Sequence, residues 1–255
     1  MTAMQAELTE RIRERYGRVR DTVADHAQKA GRPPDSVRVV VVTKTQPLGV
    51  VQAALAAGVQ VLGENYPEEA AEKIEGLRQA LAAGPGFNVE WHMIGHVQSR
   101  KAKLVAGYFS LVHSLDGMKV AQKLNHAAGE LARQIPVLLE FNVGGERSKH
   151  GWDASEKSLW PQLVPEVEAI LALPNLRVQG VMTMPPLAAD PEEARTYFRR
   201  LRRLRDFLAP RVPGAEWSEL SMGTSADYAV AVEEGATLVR VGQAVLGPRA
   251  AAEGE

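Results

Sequence analysis

Val37-Arg38-Val39-Val40-Val41-Val42-Thr43-Lys44, followed at once by Thr45-Gln46-Pro47, is the stretch on which the fold turns. Its valines do not alternate with polar residues. A short β-branched run of this kind is a strand covered on both faces, as strands of a parallel sheet are. Pro47 cannot donate to a ladder, so the strand stops before it. Lys44 stands at the end. An ammonium there must find a partner or water, or it gives up its proton more readily than a free lysine. A side chain that simply extends into solvent meets that demand. So does a lysine that serves as a nucleophile toward an aldehyde. Position alone leaves both open.

Outward from this strand the chain alternates. Upstream, Leu8, Ile12, Tyr16, Val19, Val23 and Ala27 recur at helical spacing and end before Gly31-Arg-Pro-Pro34, which predicts an N-terminal helix over 1–30. Downstream, β-rich runs at 59–62, 89–94, 109–113, 135–142, 176–182, 216–221 and 237–241 alternate with helical patterns such as Met118/Ala121/Leu124/Ala128 and Tyr197/Leu201/Leu204/Leu208. With 37–43 they make eight strands, the number that closes a (β/α)8 TIM-type barrel. An open doubly wound sheet is the alternative, but the turn after the first strand lacks Gly-x-Gly-x-x-Gly. No linker divides the chain, so 1–255 reads as a single barrel domain with a short tail from about 248.

Composition narrows the function. A net charge of −1 without blocks of like charge argues against nucleic acid and membrane surfaces as partners. There is no cysteine, which excludes disulfides, thiolate metal sites and cysteine nucleophiles. No apolar run reaches membrane-spanning length. The first 30 residues mix acidic and basic side chains without an apolar core, unlike an export signal, so a cytoplasmic address is expected.

In a barrel the strand C-termini converge on one face, where active sites lie. Lys44 would then meet Gly63-Glu-Asn65, Ile94-Gly-His-Val-Gln98, the loop 142–151, Met182-Thr-Met-Pro-Pro186, Ser221-Met-Gly-Thr-Ser225 and Arg240-Val-Gly-Gln243. The last two are the usual place for phosphate in such barrels. Small hydroxyl residues, a glycine and a helix start from Ala226 suit an anion, although Thr224 with Asp227 also reads as a plain helix cap. A lysine facing a phosphate site suggests one ligand with an aldehyde and a phosphate, as pyridoxal phosphate has.

Val42-Thr-Lys-Thr-Gln-Pro47, Gly63-Glu-Asn-Tyr66, Trp91-His-Met-Ile-Gly95 with Gln98, Gly180-Val-Met-Thr-Met-Pro185, Leu220-Ser-Met-Gly-Thr-Ser225 and Val239-Arg-Val-Gly242 together resemble the pyridoxal-phosphate homeostasis proteins. That family is similar to the barrel of alanine racemase without its β-rich second domain. The resemblance implies that Lys44 holds pyridoxal phosphate as an internal aldimine. It implies that Ser221, Gly223, Ser225 and Gly242 bind the phosphate, that Arg240 faces the pyridine nitrogen, and that Asn65 and Met182 line the pocket. Gln243 stands where the family usually has Thr, and Arg100-Lys101 where it usually has Asn-Lys. An arginine at the ring nitrogen disfavours its protonation and makes the ring a weaker electron sink.

The expected function is therefore non-enzymatic: a pyridoxal-phosphate carrier that buffers the cofactor or delivers it to apo-enzymes, without catalytic residues. The protein would be a monomer or at most a weak dimer. A small amino-acid racemase on the same barrel is the alternative, with Tyr66 the residue to test. Lys149 reads as part of a solvated loop or as a transient acceptor of the aldehyde. His92 and His96 lie across a strand end and a glycine, need not share a face, and lack a supporting carboxylate motif, so no metal is expected. The Arg199-Arg-Leu-Arg-Arg203 run reads as a solvated helix face.

Overall fold

The computed structural model describes residues 2–81, 89–146, 148–186 and 189–248; the end of the expected tail, 249–255, lies outside them. Among the described residues nine strands form in chain order: β1 Arg38–Val42, β2 Val61–Glu64, β3 Glu90–Met93, β4 Leu111–Leu115, β5 Ile135–Asn142, β6 Trp152–Asp153, β7 Leu176–Met182, β8 Glu219–Thr224 and β9 Leu238–Val241. The order β4-β3-β2-β1-β9-β8-β7-β5 closes through a β4–β5 pairing, and every pairing in the ring is parallel. The two-residue β6 sits outside the ring on β5. Eight strands thus close the (β/α)8 barrel that the valine run predicts.

The outer layer comprises α1 Ala3–Lys29, α2 Leu48–Ala56, α3 Pro67–Leu81, α4 Ala102–Tyr108, α5 Met118–Glu130, α6 Trp160–Leu171, α7 Arg195–Leu208, α8 Tyr228–Glu233 and α9 Gln243–Leu246. α1 buries Ile12, Val19, Val23 and Ala27 against α2, α8 and α9, across the seam where the first and last ring strands meet. Its start is capped by Thr2 Oγ1, which accepts from the Gln5 amide.

Some boundaries differ from the pattern. The second, fourth and seventh ring strands begin two to three residues later than the apolar runs suggest. At 216–218 the chain turns at Trp217, whose φ is +52° and whose indole donates to Val212, so extended pairing resumes only at Glu219. At the other end, β8 continues to Thr224 through Gly223. There φ is +92°, and a Cβ would lie 2.5 Å from that of Ala231. This glycine lets the strand bulge and press onto α8.

The arginines of α7 do not form a solvated face alone. Arg195, Arg199 and Arg202 converge on Glu234, which is 3% exposed, at 3.0, 2.9 and 3.5 Å. They anchor the end of α8, the helix that follows the β8 turn. This is a correction to the sequence expectation, because Glu234 is too distant in sequence to be read as their partner.

Inside the barrel, side chains stack in layers. Arg38 plugs the N-terminal mouth between Glu90 (3.2 Å) and Glu219 (3.0 Å). Above it lies a small apolar cluster of Val40, Val61, Leu111, Leu138, Met182 and Leu238. Polar groups thread past this cluster toward the C-terminal face, where the cavity opens.

Candidate functional site

Lys44 lies two residues past β1, half-buried in a turn closed by the Gln46 amide on the Thr43 carbonyl (3.1 Å). The turn is forced into shape. Thr45, β-branched, has φ +61°, a left-handed conformation that costs about 1–3 kcal/mol unless its surroundings impose it. They do: the Thr45 amide donates to Glu69 Oε1 at 2.6 Å. Beneath the turn, the Lys73 ammonium donates to the Thr43 carbonyl and to Glu64 Oε1, both at 2.7 Å, and to Glu69 Oε1 at 2.5 Å. Thr43 Oγ1 also donates to Glu64. Glu64 is fully buried, and burial pushes its carboxyl above the usual range despite Lys73. A cation clamped between two carboxylates thus sets the backbone on which Lys44 stands.

Lys44 opens onto a cavity of about 680 Å³ at the C-terminal face, within the range of small-molecule sites. Its wall on the β8–β9 side is Thr224, Ser225, Ala226, Gly242 and Gln243. Thr224 does not cap a helix. Its amide and hydroxyl donate to Asp227 Oδ1 (2.6 and 3.0 Å), and the helix begins only at Tyr228. The Gly242 amide donates to Ser225 Oγ at 3.1 Å and ties the two turns together. Among the described residues no acceptor meets the amides of Ser225, Ala226 and Gln243. Three open donors on adjoining turns suit an anion.

The floor is Arg240, 4% exposed. Its guanidinium donates to Ser221 Oγ, to the Thr183 carbonyl (2.9 Å) and to Met184 Sδ (2.9 Å). Burial lowers its pKa to about 10, so it is still a cation at pH 7. Ser221 is part of a chain that descends through the barrel. Its hydroxyl meets His113 Nδ1 at 2.8 Å, His113 Nε2 meets His92 Nδ1 at 3.0 Å, and His92 Nε2 meets Glu90 at 3.2 Å. Burial depresses both histidines, His113 strongly, so both are neutral. Arg240 only donates, and a Glu90 carboxylate only accepts, which fixes one direction throughout. Ser221 donates to His113, His113 to His92, and His92 to Glu90.

Glu140, at 8% exposure, completes the floor beside Arg240. Burial, and secondarily the Asp116 charge, raise its pKa to about 7. Lys149, His96, His150 and Asn65 form the rim. The Lys149 loop is braced by Asn142, whose side chain accepts from the Gly145 amide (2.9 Å) and donates to the Glu146 carbonyl (2.8 Å). Gly95 in the third loop is pressed so close to Asn65 that a Cβ would lie 2.5 Å from its carbonyl oxygen.

Of the residues singled out in sequence, the fold brings Lys44, Asn65, Ser225, Arg240 and Gly242 to one cavity. Three lie elsewhere. Ser221 is buried beneath Arg240, Met182 belongs to the apolar cluster below, and Gly223 packs on α8. Met184, two residues on and thus on the same strand face as Met182, reaches the cavity instead. Glu140 escaped notice because a carboxylate in an apolar strand carries no motif. Arg100 bonds to Gln98 and Lys101 pairs with Glu68, and neither lines the cavity. Tyr66 is exposed and outside the lining. A second cavity of about 690 Å³ lies on the α6–α7 flank, away from the strand ends. Its Arg199 and Arg200 are held by Glu234 and the Val143 carbonyl.

The barrel is of the alanine racemase N-terminal-domain class, whose model matches residues 16–250. Within that class, the chain belongs to the pyridoxal phosphate homeostasis protein family. It is 38% identical to the member from Aquifex aeolicus, covering 92% of this chain and 97% of the relative. It is 39% identical to the member from Pseudomonas aeruginosa, covering 93% and 96%. PipY of Synechococcus elongatus, solved with pyridoxal phosphate bound, superposes with a TM-score of 0.72 at 31% identity, covering 88% of this chain and 100% of PipY. Alanine racemase from Streptomyces coelicolor, at 20% identity and a TM-score of 0.66, shares the fold over 94% of this chain and 58% of its own. Among the described residues no helix is long and apolar enough to cross a membrane.

Proposed function

We propose that this protein binds pyridoxal phosphate and serves as a carrier that buffers and hands over the cofactor, to apo-enzymes among others, rather than as a catalyst. The observation that carries this reading is the cavity itself. Lys44 stands on one side, the open amides of Ser225, Ala226 and Gln243 on the other, and the buried cation Arg240 lies between. Its relatives bear the name of pyridoxal phosphate homeostasis, and PipY holds the cofactor. Lys44 Nζ would add to the aldehyde and form a carbon–nitrogen double bond with loss of one water. Addition of water back to that bond would release the cofactor, while attack by a second amine such as Lys149 would pass it to that amine and free Lys44. Ser225 Oγ, Gly242 and the open amides would hold the phosphate. Asn65 and Met184 would flank the ring.

Arg240 supports a holding role. A permanent cation at the floor opposes protonation of a pyridine ring placed against it, which weakens carbanion stabilisation. Racemases compensate with positioned acid and base groups. The described lining includes no tyrosine, and Tyr66 lies outside. Titration with pyridoxal phosphate should generate a visible imine band in the wild type and none in Lys44→Ala. Amino acids in deuterated water should then show no α-proton exchange above the free-cofactor background. Rapid exchange that vanishes in Lys44→Ala would make the protein an enzyme.

A further inference from the structure

His96, Asp116 and His150 come from the loops after β3, β4 and β5 and meet at the rim of the cavity. His96 Nδ1 lies 2.7 Å from Asp116 Oδ2, and His150 Nδ1 lies 3.7 Å from the same oxygen. The two imidazoles stack with centroids 4.0 Å apart and planes 13° from parallel, so both turn a nitrogen to one carboxylate. All three donor atoms lie within 4.8 Å of one another. A single ion pair would explain His96 with Asp116, but not the second ring stacked on the first toward the same oxygen.

We propose that these three residues form a binding site for a divalent transition-metal ion of the zinc type. The proposal is independent of the pyridoxal phosphate reading. Zinc takes imidazole nitrogen and carboxylate oxygen at about 2.0–2.2 Å, which sets tetrahedral donors roughly 3.3–3.5 Å apart. The separations of 2.7 and 3.7 Å bracket that spacing, and a swing of the more exposed His150 ring out of the stack brings both ring planes onto one ion. Two imidazoles and one carboxylate match a zinc site with an open fourth position, and His96 and His150 both line the cavity, which gives that position access. Calcium and magnesium want six or more oxygen ligands, and one carboxylate does not supply them.

The loops that carry the three residues are held in place. Ser114 Oγ donates to the Gly95 carbonyl at 2.5 Å and fixes the His96 loop to β4 just before Asp116. Gly151, next to His150, has φ +95° and lies so close to the Glu140 carbonyl that a Cβ would be 2.5 Å from it. Asp116 is 9% exposed, while the histidines are 40% and 55% exposed, so the carboxylate is sheltered and the imidazoles can meet an ion from solvent.

The test is calorimetric titration of the full-length protein, stripped with a chelator, with Zn²⁺, and in parallel with Co²⁺ as a spectroscopic probe. The expected result is one Zn²⁺ per chain and visible d–d bands of a four- or five-coordinate Co²⁺ site. His150→Ala and Asp116→Asn should weaken both on the order of 100-fold or more, since even loss of a supporting contact costs 10–100-fold. His126→Ala, a histidine on α5 away from the cavity, should leave both unchanged. His150 is a surface residue, so its variant decides the matter if Asp116→Asn misfolds. Absence of stoichiometric binding, or binding that survives His150→Ala, would overturn the proposal. So would binding lost in His126→Ala, since it would place the ion away from the rim.

Discussion

Replacing Lys73 by methionine removes the cation from the buried turn beneath Lys44. In the folded protein its side chain is 7% exposed, and that of its partner Glu64 is not exposed at all. Two unit charges 2.7 Å apart attract by about 6 kcal/mol at an effective dielectric of about 20, and desolvation of both ions offsets most of this. Loss of one partner is different, because Glu64 keeps its desolvation penalty with only the Thr43 hydroxyl to offset it. That costs about 3–5 kcal/mol. A chain of this size loses roughly 2–4 °C of thermal midpoint per kcal/mol, so the drop should be on the order of 10 °C. Adding Glu64→Gln to Lys73→Met should recover most of the loss, since the amide oxygen still accepts from Thr43 and no buried charge remains. Urea denaturation at pH 7 of the two singles and the double gives the coupling. A Lys73→Met loss under about 1 kcal/mol, or additive effects, would refute the view that this pair holds the Lys44 turn.

Other predictions are independent of that pair. Glu140 has a folded pKa of about 7 against an ordinary 4.5, so the folded state binds its proton more tightly. The stabilisation it gives is full below about 4.5 and is lost as pH climbs through 7, up to about 3 kcal/mol. Glu140→Gln should therefore flatten the decline in stability between pH 5 and pH 8, and an unchanged profile would count against the buried carboxyl. Ser221→Ala should cost about 1.5–3 kcal/mol of stability by leaving Arg240 one acceptor short, while leaving the preference for phosphorylated over plain pyridoxal intact. Ser225→Ala should do the reverse, weakening pyridoxal phosphate binding by about 1–3 kcal/mol with little effect on pyridoxal. Equal affinity of the wild type for the two ligands would remove the phosphate from the site.

Where the signal was local, the sequence was legible. The valine run, the proline that ends it and the helical stripe of α1 are all set by nearest neighbours, and each appears where expected within a few residues. Lys44, Ser225 and Gly242 could be paired because barrel closure puts first and last strands side by side. What escaped was fixed by side-chain direction. Ser221 and Ser225 share one motif, and alternation alone would put them on one face, yet the bulge at Gly223 turns the first to Arg240 and the second to the cavity. His92 and His96, four apart, end inside and outside the barrel. His96 acquires partners 20 and 54 residues away that no spacing rule relates to it. The Lys73 clamp was invisible for the same reason: on sequence, Lys73 is one more polar residue of an amphipathic helix.

The central claim is that Lys44 is the covalent attachment point, and borohydride reduction tests it most directly. The protein should be loaded with pyridoxal phosphate, reduced, digested and mapped by mass spectrometry. A phosphopyridoxyl group on the peptide that contains Lys44, absent from Lys44→Ala, is the predicted result. A label found chiefly on Lys149 or Lys101 in the wild type would contradict it.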